Sequence, residues 1–191
     1  MTNYPDLYVL RHGETEWNAQ GKMQGSLNSP LTAEGKKQAQ RQAEILETVD
    51  LTGFDILCSP QGRAFETAAI ALARQVTHIH TDARLREIGV GDWAGRKRSE
   101  LSEGKGFLDG PDGALELYEM APNGEGFIAL EQRCTAFLND LKGPSVLITH
   151  GITSRMIRAI VTGVGRDGLA EMGGGQGIIF ALKNTVQKRL E

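Results

Sequence analysis

Residues 7–18 read LYVLRHGETEWN: four apolar residues, Leu7 to Leu10, run straight into a guanidinium, an imidazole, a glycine and a carboxylate. An unbroken apolar run this short is the pattern of a strand buried on both faces, the environment of an interior strand in a parallel sheet. Asp55 to Cys58 and Val146 to Thr149 have the same character, each bounded by polar or turn residues. Three interior strands therefore organise the chain.

Between them the spacing predicts helices. Thr32 can cap a helix in which Ala39, Ala43 and Leu46 recur at i, i+4 and i+7, with Lys36, Lys37, Gln38, Arg41 and Gln42 facing water. A second helix is expected to open near Ser59-Pro60, with Pro60 in its first turn, and others to cover about 126–141 and 152–162. This alternation predicts an α/β fold: a three-layer α/β/α sandwich around a mostly parallel central sheet, joined by right-handed crossovers. GIIFALKNTVQKRL, residues 177–190, reads as a hairpin around Lys183-Asn184 and an antiparallel edge. Residues 12–31 and 88–124 resist regular assignment, the second being broken by GDWAG, GKG, DGPDG and PNGEG. Irregular stretches of this length in a compact domain are usually functional, and 88–124 is expected to cap the carboxyl ends of the strands.

At 191 residues the chain suits one domain, 1–191. Its net charge of -3 supplies no overall field for nucleic acid or an anionic membrane, so any anion has to be caught locally. Cys58 and Cys134 sit in apolar segments without C-x-x-C spacing and read as buried small hydrophobes in a reducing cytosol. The N-terminus MTNYPDLYVL lacks a basic region followed by a long apolar stretch, and no segment approaches 18 uninterrupted apolar residues. A soluble, unexported, cytoplasmic protein is expected. GVGDWAG departs from G-x-G-x-x-G, and no G-x-x-x-x-G-K-[ST] occurs, so nothing supports NAD or ATP and no cofactor is expected. His78 and His80 form an H-x-H on a predicted strand, but without a third ligand nearby they do not define a metal site.

LYVLRHG and VLITHG both end an apolar strand in His-Gly, and open parallel sheets bind ligands just beyond the carboxyl ends of their strands. His12 and His150 are thus expected to meet, with Gly13 and Gly151 letting backbone approach a ligand. The run DILCS leads into SPQGRAFET, placing Arg63 in the first turn of a helix whose free N–H groups favour an anion. With Arg11 this makes two guanidinium forks beside two histidines, a combination matched to phosphate oxygens.

RHGETEWN, LNSPLTAEGKKQA, SPQGRAFETA, LREIGVGDWAG and LITHG occur in this order, and together they resemble the histidine phosphatase superfamily, the phosphoglycerate-mutase-like proteins, over about residues 7–165. The resemblance implies that His12 attacks a phosphoryl group to form a phosphohistidine, that Arg11, Arg63 and His150 hold the phosphoryl oxygens, and that Glu87 protonates the leaving oxygen. It also implies that Asn18 and Gln24-Gly25 lie over the phosphate, with no metal required. Physically, His12 must be neutral at one ring nitrogen, so a hydrogen bond from its other N–H must fix the tautomer. His150 serves the phosphoryl group by donating a proton or carrying charge, and Glu87 needs a raised pKa or a substrate-linked proton, with a partly dry pocket near Trp93 as the source of desolvation. Glu14, acidic beside an anion site, is assigned no catalytic role and is expected to orient a positive side chain or cap local backbone.

Core motifs do not separate mutases from phosphatases. Cofactor-dependent mutases resembling this chain carry an inserted arginine pair and an arginine directly after the acid; here Ile88 follows Glu87, and 100–124 offers Lys105 but no arginine pair. Water is the expected acceptor and a small phosphorylated metabolite the expected substrate, with neither nucleic acid nor membrane as partner and a homodimer left open. A mutase-type phosphotransferase and a non-catalytic phospho-ligand binder remain the alternatives. Arg96, Lys97 and Arg98 stand as candidates for a second anionic group of the substrate. GEGF at 124–127, where many relatives read Gly-Glu-Ser, puts a helix cap in doubt, and GGGQG at 173–177 reads as a loop-to-strand turn.

Overall fold

The structure, a computed structural model, describes residues 4–105 and 115–191. Its elements are β1 (Leu7–Arg11), α1 (Glu16–Ala19), α2 (Ala33–Leu46), β2 (Asp55–Cys58), α3 (Gly62–Leu72), β3 (His80–Thr81), α4 (Arg98–Ser102), α5 (Glu116–Glu119), α6 (Gly126–Asp140), β4 (Ser145–Thr149), α7 (Gly151–Thr162), β5 (Ile179–Lys183) and β6 (Val186–Leu190). The six strands form one sheet in the order β3-β2-β4-β1-β5-β6. The β1–β4, β2–β4 and β2–β3 pairs are parallel, while β5 and β6 close one side antiparallel. This is the expected α/β architecture, with the predicted hairpin supplying the antiparallel edge.

Alternation along β1 explains the layering. Leu7 and Val9 join Leu147 and the apolar faces of α6 and α7 in one core, while Tyr8 and Leu10 join Val146, Ile148, Leu46 of α2 and four buried residues of α3 in the other. Small side chains Ala64, Ala68 and Ala71 line the buried face of α3, allowing α2 to pack closely beside it. Both cysteines lie inside these cores, and burial pushes each thiol up to about 12. Among the described residues, no helix is long and apolar enough to cross a membrane.

Four expectations change in detail. Gln42 does not face water: it is fully buried, and its Nε2 donates to the carbonyls of Arg11 at 3.0 Å and Ile178 at 3.1 Å. Gln38 likewise turns inward, accepting from the Glu14 N–H. That side of α2 meets backbone at the strand ends, so hydrogen-bonding groups belong there in place of apolar ones. α3 begins at Gly62, because Gln61 stays extended to bond elsewhere. The hairpin turns at Asn184 and Thr185, both with positive φ, one residue later than read from the sequence.

Among the described residues, the irregular stretches hold α1, α4, α5 and a 3₁₀ turn at Gly91–Trp93. The DGPDG cluster, with Asp109 and Asp112, lies outside the described residues.

Candidate active site

Register brings the site together. Arg11 lies opposite Thr149, and Cys58 opposite Ile148, so His12, Ser59 and His150 all emerge at adjacent strand ends. The His12 and His150 rings meet edge to face with centroids 5.1 Å apart.

The His12 ring is 3% exposed and its Nδ1 lies 2.7 Å from the Gly13 carbonyl. A carbonyl only accepts, so Nδ1 carries the proton and Nε2 keeps its lone pair. Arg63 Nε approaches that nitrogen at 3.3 Å. Gly13 donates its N–H to Thr67 Oγ1, and a Cβ on Gly13 would stand 2.2 Å from the Gly35 carbonyl oxygen, so the turn after β1 seats directly on the first turn of α2. Gln176, within the glycine-rich 173–177 loop, donates to the His12 carbonyl, tying that loop to the site.

Arg63 is 1% exposed. Its guanidinium donates to the carbonyls of Leu27 and Gly25, and its backbone N–H to Asn28 Oδ1. Burial lowers its pKa to about 10 and Arg11 adds to that, while Glu87 opposes it; the group stays charged at neutral pH. Gly25 adopts φ +53, which turns its carbonyl toward Arg63 and the Gln61 amide.

His150 is fully buried and its Nε2 lies 2.7 Å from Ser59 Oγ. Burial holds its pKa well below the ordinary histidine value, and the positive charges of Arg63 and Arg11, with that of His12 whenever its ring is protonated, push the same way. His150 is therefore neutral, which leaves donation rather than charge as its contribution. Ser59 Oγ accepts from the Gln61 N–H, so its own proton can go to Nε2; the His150 proton then resides on Nδ1, a buried atom with no hydrogen-bond partner among the described residues.

The Glu87 carboxylate is gripped by the start of α7: Oε1 accepts from the Thr153 N–H at 3.0 Å and from its hydroxyl at 3.1 Å, and Oε2 from the Ile152 N–H at 3.2 Å. Its own N–H donates to Gln61 Oε1. Trp93, expected beside it, does not line the cavity; it is buried under the Lys105 ammonium. Glu125 accepts from the Gly89 N–H and pairs with Arg133, which also donates to the carbonyls of Arg84 and Arg86, fastening the segment that carries Glu87 to α6. The missing Ser of GEGF is replaced by Glu119, whose carboxylate accepts from the Phe127 N–H.

Arg11, His12, Asn18, Gln24, Gly25, Arg63, Glu87 and Gly151 line one cavity, completed by Lys22, Met23, Arg98, Tyr118 and Ile152. Asn18 Oδ1 is committed to the cap of α1 at Thr15, which leaves its NH₂ as the donor it can offer. Gln24 Nε2 donates to Thr15 Oγ1. A Cβ on Gly151 would come 3.2 Å from the Arg11 guanidinium carbon. Glu14 accepts from the Thr32 hydroxyl, a side-chain contact that links the β1 turn to the residue capping α2. Arg96 and Lys97 are exposed and outside the cavity, and His78 and His80 are exposed away from it.

Ser59, Gln61, Thr153, Lys22 and Tyr118 were not picked out from the sequence. Ser59 and Gln61 sit in the same SPQGR run as Arg63, and its position at a strand end is the signal that could have found them. A neutral imidazole nitrogen, two guanidinium groups and an oriented carboxylate around one cavity are the groups a phosphoryl transfer uses.

Residues 7–184 match the family model described as histidine phosphatase superfamily (branch 1), and the chain belongs to that superfamily. A Proteus mirabilis protein named "Probable phosphoglycerate mutase GpmB" is 36% identical over 169 residues, covering 83% of this chain and 75% of the relative. The crystal structure of the alpha-ribazole phosphatase from Shigella flexneri superposes with a TM-score of 0.78 at 28% identity, covering 97% of this chain and 94% of that one. The mycobacterial glucosyl-3-phosphoglycerate phosphatase Rv2419c, solved with VO3, gives a TM-score of 0.77 at 27% identity, covering 98% and 97%.

Proposed function

We propose that this protein is a metal-independent phosphomonoesterase acting on a small phosphorylated metabolite through a phosphohistidine. The observation that carries the reading is the His12 tautomer: Nδ1–H is tied to the Gly13 carbonyl, and the Nε2 lone pair faces Arg63 in the shared cavity. In the first step Nε2 bonds to phosphorus as the P–O ester bond breaks, and Glu87, having taken up the proton that a phosphate monoanion brings with it, passes that proton to the departing oxygen. In the second, water attacks the phosphohistidine, Glu87 takes a proton back, and inorganic phosphate leaves. Arg11 and Arg63 stabilise the charge on the equatorial oxygens, which His150 Nδ1–H, the Asn18 amide and backbone around Gly25 and Gly151 help to hold.

Two similar structures bear phosphatase names, which supports hydrolysis. The mutase name of the similar Proteus protein favours a second reading, phosphotransfer to a sugar-acid acceptor. Ile88 after Glu87, and the lack of arginine throughout 99–124, argue against it.

The test is phosphate release from p-nitrophenyl phosphate and a panel of metabolite phosphates, with EDTA present. Wild type should turn over, and His12→Ala should lose at least about a thousandfold in kcat. Full turnover by His12→Ala would sink the reading; no release by wild type would favour a mutase.

A further inference from the structure

We propose that Thr153 is a positioning residue for the acid Glu87: its hydroxyl proton goes to the Arg86 carbonyl while Glu87 is protonated and to the carboxylate once Glu87 is ionised. The inference rests on the phosphomonoesterase reading and deepens its proton-transfer step.

The contacts of Glu87 are uneven. Oε1 accepts from the N–H groups of Ile88 and Thr153, each at 3.0 Å, and lies 3.1 Å from the Thr153 hydroxyl. Oε2 accepts from the Ile152 N–H at 3.2 Å and is the oxygen with room for a proton. Ile152 and Thr153 belong to the first turn of α7, whose cap residue His150 gives no side-chain hydrogen bond, so Glu87 serves the orphan N–H groups from across the chain. Backbone N–H groups donate whatever the charge on the carboxyl, and they cannot turn away.

The hydroxyl can. It carries one proton and has two acceptors within reach, Glu87 Oε1 and the Arg86 carbonyl at 2.8 Å. Rotation about one bond exchanges them. The Arg86 carbonyl also accepts from Arg133, itself paired with Glu125, so that acceptor stays in place in both states. Thr153 is fully buried, and water does not compete for the proton. Thr67 and Thr162, in α3 and α7, spend theirs on the carbonyl four residues back.

The consequence falls on the transition state. While Glu87 holds the proton at Oε2, the hydroxyl faces Arg86. As the Oε2–H bond breaks and the leaving oxygen takes the proton, charge develops on the carboxylate and the hydroxyl turns to Oε1; Thr153 keeps its own proton throughout. A hydrogen bond gained only as charge develops speeds the chemistry without tightening substrate binding. Its value grows with the basicity of the leaving oxygen, since a nitrophenolate departs with little help from an acid and an alkoxide does not.

The test measures kcat/KM, which reports the steps up to the phosphohistidine, on p-nitrophenyl, phenyl and benzyl phosphates, a series of rising leaving-group basicity. Thr153→Val keeps the branched shape and removes the hydroxyl. It should lower kcat/KM for benzyl phosphate at least about tenfold and that for p-nitrophenyl phosphate less than about threefold. Thr153→Ser, which keeps the hydroxyl, should bring the benzyl value to within about threefold of wild type. Comparing esters within one preparation makes the readout independent of how much of a variant is folded. In a Glu87→Gln background, Thr153→Val should add less than about twofold, because the group it serves is gone. Equal loss across the series, no rescue by Ser, or full additivity with Glu87→Gln would overturn the proposal. Absence of phosphate release by wild type from every ester is a different result: it strikes the phosphomonoesterase reading, and this proposal with it.

Discussion

At His12 and His150, two imidazoles of the same chemistry are set to different tasks by a single hydrogen bond each. The Gly13 carbonyl can only accept, so the His12 proton sits on Nδ1 and the Nε2 lone pair faces the Arg63 Nε–H. The Ser59 hydroxyl can donate to His150 Nε2, and it leaves a proton at Nδ1. Ser59→Ala removes that donor inside a site with no exposure to water. An unsatisfied buried group costs about 1–3 kcal/mol, so kcat should fall roughly 10- to 100-fold. KM for a phosphomonoester should change much less, and Ser59→Thr, which keeps the hydroxyl, should restore most of the rate. Equal loss in Ser59→Ala and Ser59→Thr would reduce Ser59 to packing. The sequence shows the reactive residues because each stands in a contiguous strand-end motif. It hides their partners, since the Ser59–His150 contact depends on the register of β2 against β4.

Helices and strands with a clean apolar period were legible: α2, α6, α7 and the three interior strands fall within a residue or two of their expected bounds. Where an element meets backbone instead of side chains, periodicity carries no information, and there the reading of Gln38 and Gln42 as solvent-facing failed. The close seat of α2 on the turn after β1 is such a place. A Cβ on Gly35 would lie 2.0 Å from the Glu14 carbonyl oxygen, and backbone cannot yield as a flexible side chain does. Gly35→Ala should therefore destabilise the fold by about 1–3 kcal/mol through overpacking and displace the His12 turn. Chemical denaturation and turnover read the two effects, and Lys36→Ala, one residue on and exposed, serves as the control. Wild-type stability in Gly35→Ala would show that the helix can back away.

Across the whole molecule, acid sensitivity should appear in two separate ranges. His150 is held neutral, its pKa well below the ordinary value because of burial first and the neighbouring cations second. Above about pH 6.5, the ordinary histidine pKa, folded and unfolded chains are both neutral there, and the contribution is complete. As pH falls below that value the unfolded chain takes up a proton that the folded one resists, so stability declines. Asp82 and Glu125 titrate separately. Hydrogen bonds from Arg84 lower Asp82, and in Glu125 the upward push of burial is outweighed by Arg133, the Gly89 N–H and Arg86 together. Both protect the fold until about pH 4 and below. The melting temperature should thus begin to drop between about pH 6.5 and 5, and His150→Asn should flatten that segment alone. An unchanged slope in the variant would assign the early loss to other groups.

The strand order also bears on how this protein is made. β1 leaves the ribosome well before its two neighbours in the sheet, β4 and β5. Contacts this remote in sequence close slowly. Until β4 emerges, the apolar strand bearing His12 has both edges unpaired, the condition in which nascent chains stick to one another. Protection of that strand during synthesis then falls to chaperones or to transient burial against α2. The same delay means that a polypeptide halted before β4 holds its imidazole without Ser59 and His150 set beside it, so a truncated product has no assembled pocket with which to capture phosphate.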